Sequence, residues 1–325
     1  MVDAARIEPA PTDGPPQHGS AAPHDGTARA AVPVAGEPVS IEAAGWTLAG
    51  TLFDGNGPLV LVSGAAAVPH RFYARFAAWL AARGATVLLY DYRGVAASAG
   101  PRERWRELGM ADWALKDMPA AVGWLRERFP NRPLLGVGHS YGGQAIGLNG
   151  GRLPFERYAT VATMSGYWRG LGSPWSVWAQ TQILGRVLSH LLKRVPGRFG
   201  LGETLPGPIF LDWARWIARP DWFFSDPEVP EAARFGDVRL PYLAVGLCDD
   251  PLGTPRAVHD LMTRFTDADL REVWIDPADG ERIGHLDFFR QRNARHWPVV
   301  ADFLLDGDWG RAQPLSTELA TRGAR

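Results

Sequence analysis

A chain of 325 residues, 46% hydrophobic and 21% charged, has the composition of a globular protein with a large core. Its 34 basic and 35 acidic side chains leave a formal net charge of -1, which offers no overall field to a polyanion, so neither a nucleic-acid partner nor an anionic membrane is expected. The single cysteine, Cys248, excludes an internal disulfide, and no apolar run reaches the roughly 18 residues of a membrane span.

Residues 1–36 are rich in Ala, Pro and Gly and poor in ring-bearing or branched side chains, which predicts a disordered leader. Its first residues carry Asp3 and Glu8 and lack the apolar stretch of a secretory signal, so a cytoplasmic location is expected. Order begins near Val39, where "VSIEAAGWTLAGTLF" and then "GPLVLVSG" give three short strands. In "RFYARFAAWLAARG" the helical spacing of Phe72, Phe76, Trp79 and Leu80 predicts a helix that stops at Gly84. Thr86 to Tyr90 is the next strand, closing on "DYRG". The amphipathic run "WRELGMADWALKDMPAAVGWLRERF" carries Pro119, which must kink or split it.

Leu134 to Val137 is a buried strand that passes through Gly138-His139-Ser140-Tyr141-Gly142-Gly143 into a helix. Glycines on either side of Ser140 permit an abrupt strand-to-helix turn, with the serine held outward in a strained conformation. The alternation continues with the strand "YATVATMSG", ending at Ser165, then "LPYLAVGL", the helix "PRAVHDLMTRF", the strand "REVWI" and the helix "HWPVVADFLL". Short apolar strands alternating with amphipathic helices predict a mostly parallel sheet covered on both faces, with its ligand site beyond the strands' carboxyl ends.

One stretch breaks this rhythm. Residues 166–235 show no convincing strand yet hold six of the 14 tryptophans, which predicts an inserted helical cap. The domain layout expected is therefore a leader over 1–36, a core over 37–165 and 236–310, a cap over 166–235 and a tail over 311–325. Most cap rings are expected to form the cap's own core. Tyr167, Trp168, Trp175 and Trp178, nearest the sheet in sequence, are expected to line an apolar pocket over Ser140.

A serine hydroxyl becomes a useful nucleophile only with a base to take its proton and a third group to orient that base. Asp249 and Asp250 follow the strand Leu243–Leu247, and His285 follows Val273–Ile275, giving the order Ser, Asp, His with each beyond a strand end. The rival histidines fit less well, since His139 lies inside the turn and points away from the hydroxyl, while His259 and His296 fall within helices. Asp287 follows no strand end and is expected to be solvated. No HExxH, paired cysteine, histidine cluster or glycine-rich nucleotide signature is present, so no metal and no cofactor is expected.

Five segments resemble the α/β-hydrolase superfamily: Gly138 to Gly143, Ser63-Gly64-Ala65-Ala66-Ala67-Val68-Pro69, Asp91-Tyr92-Arg93-Gly94, Asp250-Pro251, and Gly284-His285 followed by Phe288-Phe289. More narrowly, "SGAAAVPHRFYARFA", "DYRG" and "IGHLDFF" look like a bacterial branch catalogued as esterases or serine-aminopeptidase-like hydrolases, over about residues 40 to 305. The resemblance implies an α/β-hydrolase fold with an inserted cap, Ser140 as nucleophile, His285 as general base and Asp250 as the orienting carboxylate. Asp250 is preferred because "LPYLAVGLCDDP" matches the family's strand followed by Asp-Pro, leaving Asp249 to cap the turn. The oxyanion hole would use the backbone N–H of Tyr141 and that of Ala66 or Ala65. Ser63 departs from the pattern, standing where many members carry a loop-bracing histidine, and Asp91 and Arg93 are read as structural. The expected reaction is cleavage of a carboxylic ester or related acyl bond of a small-molecule substrate through an acyl-enzyme. Acyl transfer on the same triad and a ligand-binding pseudoenzyme are the alternatives, and the oligomeric state is open.

Overall fold

The computed structural model describes residues 35–199 and 202–315. The leader expected over 1–36 lies outside the described residues except for its last two, as does the tail beyond 315. β1 (Glu37–Ala43) and β2 (Trp46–Phe53) form an antiparallel hairpin whose turn residues, Ala44 and Gly45, have φ of 49° and 76°. That is the backbone hand a two-residue hairpin needs to match strand twist. β3 (Leu59–Ser63), β4 (Thr86–Tyr90) and β5 (Leu134–His139) are buried along their whole lengths, as strands covered on both faces must be.

β6 (Arg157–Val161), β9 (Pro241–Leu247), β10 (Asp269–Ile275) and β11 (Gln313–Pro314) complete a nine-stranded sheet of order β1-β2-β4-β3-β5-β6-β9-β10-β11, while β7 (Arg194–Val195) and β8 (Leu205–Pro206) pair with each other as a separate antiparallel ribbon. From β4 to β10 neighbours run parallel. The chain leaves β3 toward β4 on one side and returns to β5 on the other, so a crevice opens beyond the carboxyl ends of β3 and β5.

Side-chain alternation divides the interior into two cores. Leu59 and Leu61 of β3 face one with α2 (Met118–Arg128), α3 (Tyr141–Asn149) and α7 (Pro255–Met262), whereas Val60 and Val62 face the other with α1 (Ala74–Ala82) and α8 (Pro298–Asp306). Pro119 does not break the chain's helical course: a π-helical turn, Trp113–Asp117, passes directly into α2 through Asp117 and Met118, both of helical φ and ψ, and the wider turn just before the proline accommodates its missing N–H. The "DYRG" turn after β4 is tied down from within. Asp117 accepts from Arg93 Nε at 2.6 Å and from its backbone N–H at 2.8 Å, while Asp91 accepts from the backbone N–H of His70 and Ala97.

Residues 166–235 connect β6 to β9 through α4 (Pro174–Trp178), a π-helical segment (Ala179–Gly185), α5 (Arg186–Leu192), the β7-β8 ribbon and α6 (Gly207–Ile217). Three further details differ from expectation. β6 stops at Val161 rather than Ser165, residues 166–235 contain the β7-β8 ribbon, and β11 adds to the sheet edge beside β10 within the expected tail. Strands of two residues, two of them carrying Pro, have no alternation to reveal them. Among the described residues no helix is long and apolar enough to cross a membrane.

Candidate active site

Ser140 has φ 52° and ψ -111°, a sparsely populated conformation for a residue with a Cβ. The surrounding glycines enforce it. A Cβ on Gly138 would collide with the Gly142–Gly143 backbone, and one on Gly142 would meet the carbonyl oxygen of Ser63, so only Gly lets β3, β5 and α3 approach this closely. The turn is fastened by the Ser140 N–H donating to Val161 O at 3.0 Å and by Thr163 Oγ1 donating to Ser140 O at 3.0 Å. Strain is thus held by structure on three sides, and the side chain is directed beyond the strand ends.

The structure brings the three residues of the expected triad together. His285 Nε2 lies 3.0 Å from Ser140 Oγ, and its Nδ1 lies 2.8 Å from Asp250 Oδ2. Burial pushes the Asp250 carboxyl up, but its hydrogen bond with His285 and further bonds from the Gly253 and Leu252 backbone N–H groups outweigh that and hold it below the usual carboxylate range. With that carboxylate ionised, His285 Nδ1 carries the donated proton and the Nε2 lone pair faces the hydroxyl. Such a chain can take a proton from serine as the oxygen attacks.

Asp249 differs from its expected role of capping its own turn. Its carboxylate accepts the backbone N–H groups of Ile283 and Gly284, both at 2.9 Å, and so braces the loop that carries His285. The two acids follow β9 in a turn closed by the Asp250 N–H donating to Leu247 O at 3.1 Å, and from it Asp249 holds the loop backbone while Asp250 holds the imidazole. Of the rivals, His259 is buried in α7, His296 lies in a 3₁₀ turn, and Asp287 is engaged by Arg290 and Arg292 rather than merely solvated.

His139 does point away from the hydroxyl, yet it has a task the sequence did not reveal. Burial, reinforced by neighbouring His285, lowers its pKa to about 3, so the ring is neutral. Its Nε2 is 2.8 Å from the carbonyl oxygen of His285 and must donate, which leaves Nδ1 to accept from the Tyr73 hydroxyl at 2.8 Å. Tyr73 Oη in turn accepts the Ala65 N–H at 2.9 Å. A buried relay therefore links the loop after β3 to the loop of His285. Tyr92 adds a bond to Gly64 O, so two tyrosines brace the loop that follows Ser63 at the end of β3.

Because its amide already serves Tyr73, Ala65 gives way to Ala66 as the loop's candidate donor, beside Tyr141 N–H at the start of α3. Replacing Tyr73 by phenylalanine keeps the ring contacts with Phe72 and Phe289 but orphans Ala65 N–H and His139 Nδ1. Tyr73→Phe is expected to lose about 1–3 kcal/mol in urea unfolding and to lower turnover by roughly tenfold. Unchanged stability and rate would remove the relay's importance.

Ser140 and His285 line a cavity of about 660 Å³ whose apolar walls include Phe72, Met110, Met164, Trp213, Trp222 and Leu252. The aromatic residues expected there do not line it. Trp168 packs on Trp175 and Trp178, with ring centroids 4.9 and 6.4 Å away, Tyr167 sits beside Trp168, and Trp175 is 69% exposed. The reason is the path of the chain. After Trp168 it runs outward into α4, and residues 166–235 reach the crevice only later, with Gly202 and Glu203, α6 and the turn after it. There Asp212 accepts the Met110 N–H and Trp222 Nε1 donates to Gln144 Oε1 at 3.3 Å.

Comparison with known proteins agrees with this architecture. Residues 56–235 match the family model described as serine aminopeptidase, S33. A soluble variant of monoglyceride lipase from Saccharomyces cerevisiae superposes with a TM-score of 0.62 at 14% identity, over 88% of this chain and 98% of that one. An esterase from Pyrococcus furiosus gives 0.56 at 15% identity, over 85% and 92%, and the thioesterase domain from the curacin biosynthetic pathway gives 0.53 at 14%, over 82% and 99%. No curated protein sequence matches. With a family model covering more than half of its length and this sheet, the chain belongs to the serine aminopeptidase S33 family of α/β-hydrolases.

Proposed function

We propose that the protein is a serine hydrolase that cleaves a carboxylic ester of a small, partly apolar substrate through an acyl-enzyme. The observation that carries this reading is the unbroken chain from Ser140 Oγ through His285 to Asp250, open to an apolar cavity. Ser140 Oγ attacks the ester carbonyl as its proton passes to His285 Nε2. The Tyr141 and Ala66 N–H groups receive the developing oxyanion, helped by the positive end of α3. Collapse expels the alcohol, which takes its proton from His285, and a water activated by the same nitrogen then releases the acid and restores Ser140.

Two features support an ester over an aminopeptide. The cavity walls are mostly apolar, and a neighbouring cavity of about 160 Å³ shares Met164, Trp213 and Leu252, offering space for an acyl or alcohol tail under residues 166–235 as a cap. Among the described lining residues the one carboxylate, Glu203, is already paired with Arg71 at 2.6 Å, leaving none to hold an α-ammonium group. A panel of p-nitrophenyl esters of rising acyl length tests the proposal. Sustained turnover with water as the only acceptor is expected. A single burst that resumes only on adding an alcohol or thiol would make the protein an acyltransferase, and no release at all would leave a binding protein.

A further inference from the structure

Among the described residues seven large apolar side chains are conspicuously exposed, and six of them lie in the short segment from Trp175 to Leu192. Ile183, Val187 and Leu191 recur every four residues, as do Leu184, Leu188 and Leu192, so one face of the π-helical segment and α5 is apolar. Val187 and Leu191 are 49% and 75% exposed. A contiguous apolar patch of this kind marks an interaction surface.

The charge around it identifies the partner. No Asp or Glu occurs between Glu156 and Glu203, while Arg186, His190, Lys193, Arg194 and Arg198 fall within or just after the patch. Lys193 lies just past the end of α5, and Trp175 lies at the other end of the patch. Apolar side chains with a tryptophan and a rim of basic groups match the boundary of an anionic bilayer, where rings and alkyl groups enter and cations meet phosphates. A second copy of the chain fits poorly, because a two-fold interface on this face would set the basic rims against each other.

We propose that this face docks the protein on an anionic lipid surface. The assignment stands apart from the hydrolase reading, but it gives the cap a place in it. Leu184 and Leu188 also line the smaller cavity, which adjoins the Ser140 cavity through shared walls, so an amphiphile leaving the surface would meet it first.

Flotation of the full chain with vesicles tests this without requiring activity. Phosphatidylcholine vesicles containing about one-third phosphatidylglycerol should bind at least roughly tenfold more protein than pure phosphatidylcholine, and high salt should weaken the binding. Val187→Glu with Leu191→Glu, and separately Lys193→Glu, should lower binding to the level of pure phosphatidylcholine while leaving turnover of a soluble short-chain ester unchanged. Equal or absent binding to the two vesicle types by the wild type would overturn the proposal. So would a wild-type dimer in light scattering that the double variant converts to monomer, since the face would then belong to a second copy.

Discussion

Ser140→Ala is expected to lower kcat by about 10⁴-fold or more while leaving the thermal midpoint near that of the wild type. The hydroxyl makes one hydrogen bond, to His285, and otherwise lies near Met164 Sδ at 4.0 Å, so its removal costs the fold little. The strained backbone is unchanged in kind, because alanine carries the same Cβ that serine does. A large loss of turnover without a loss of stability separates a nucleophile from a packing residue. Retained activity would move the chemistry to another side chain.

The second large effect is expected at the acid pair. Asp250→Asn should lower kcat by roughly 10³–10⁴-fold, because an amide can present its NH₂ to His285 Nδ1 and favour the tautomer with its proton on Nε2. Asp249→Asn should do less. Its partners are the Ile283 and Gly284 amides, and an asparagine oxygen can still accept one of them, so loop position suffers while the imidazole keeps its partner. Asp250→Asn should also change how stability depends on pH. Asp250 is held below its ordinary range, so its charge stabilises the fold at neutral pH and that contribution is lost as pH falls through the ordinary range toward the folded value. The gap in thermal midpoint between wild type and Asp250→Asn should therefore be widest near neutrality and close in acid. A larger kinetic loss at Asp249 would exchange the roles.

The sheet and the placement of Ser140, Asp250 and His285 were legible because each rests on local chemistry: apolar strands, glycines flanking one serine, and polar residues just past strand ends. Tyr73 and His139 were hidden because their partners lie on β3's loop and on the segment after β10, and such pairing leaves no period in the chain. The pocket aromatics failed for a related reason, since nearness to Ser165 in sequence did not make Trp175 near in space, whereas Trp213 and Trp222 arrive from α6 and the turn beyond. A whole-chain charge of -1 likewise concealed the acid-free stretch between Glu156 and Glu203, where basic residues flank the exposed apolar face of α5. Totals over a chain say little about one face of it.

Hydrolysis through an acyl-enzyme requires a deprotonatable hydroxyl at Ser140, and intact-protein mass spectrometry after incubation with a fluorophosphonate reads it directly. One adduct per chain is expected, mapped by peptide sequencing to Ser140, with labelling strongly slowed in His285→Ala. No adduct, or an adduct on any other residue that persists in Ser140→Ala, would contradict it.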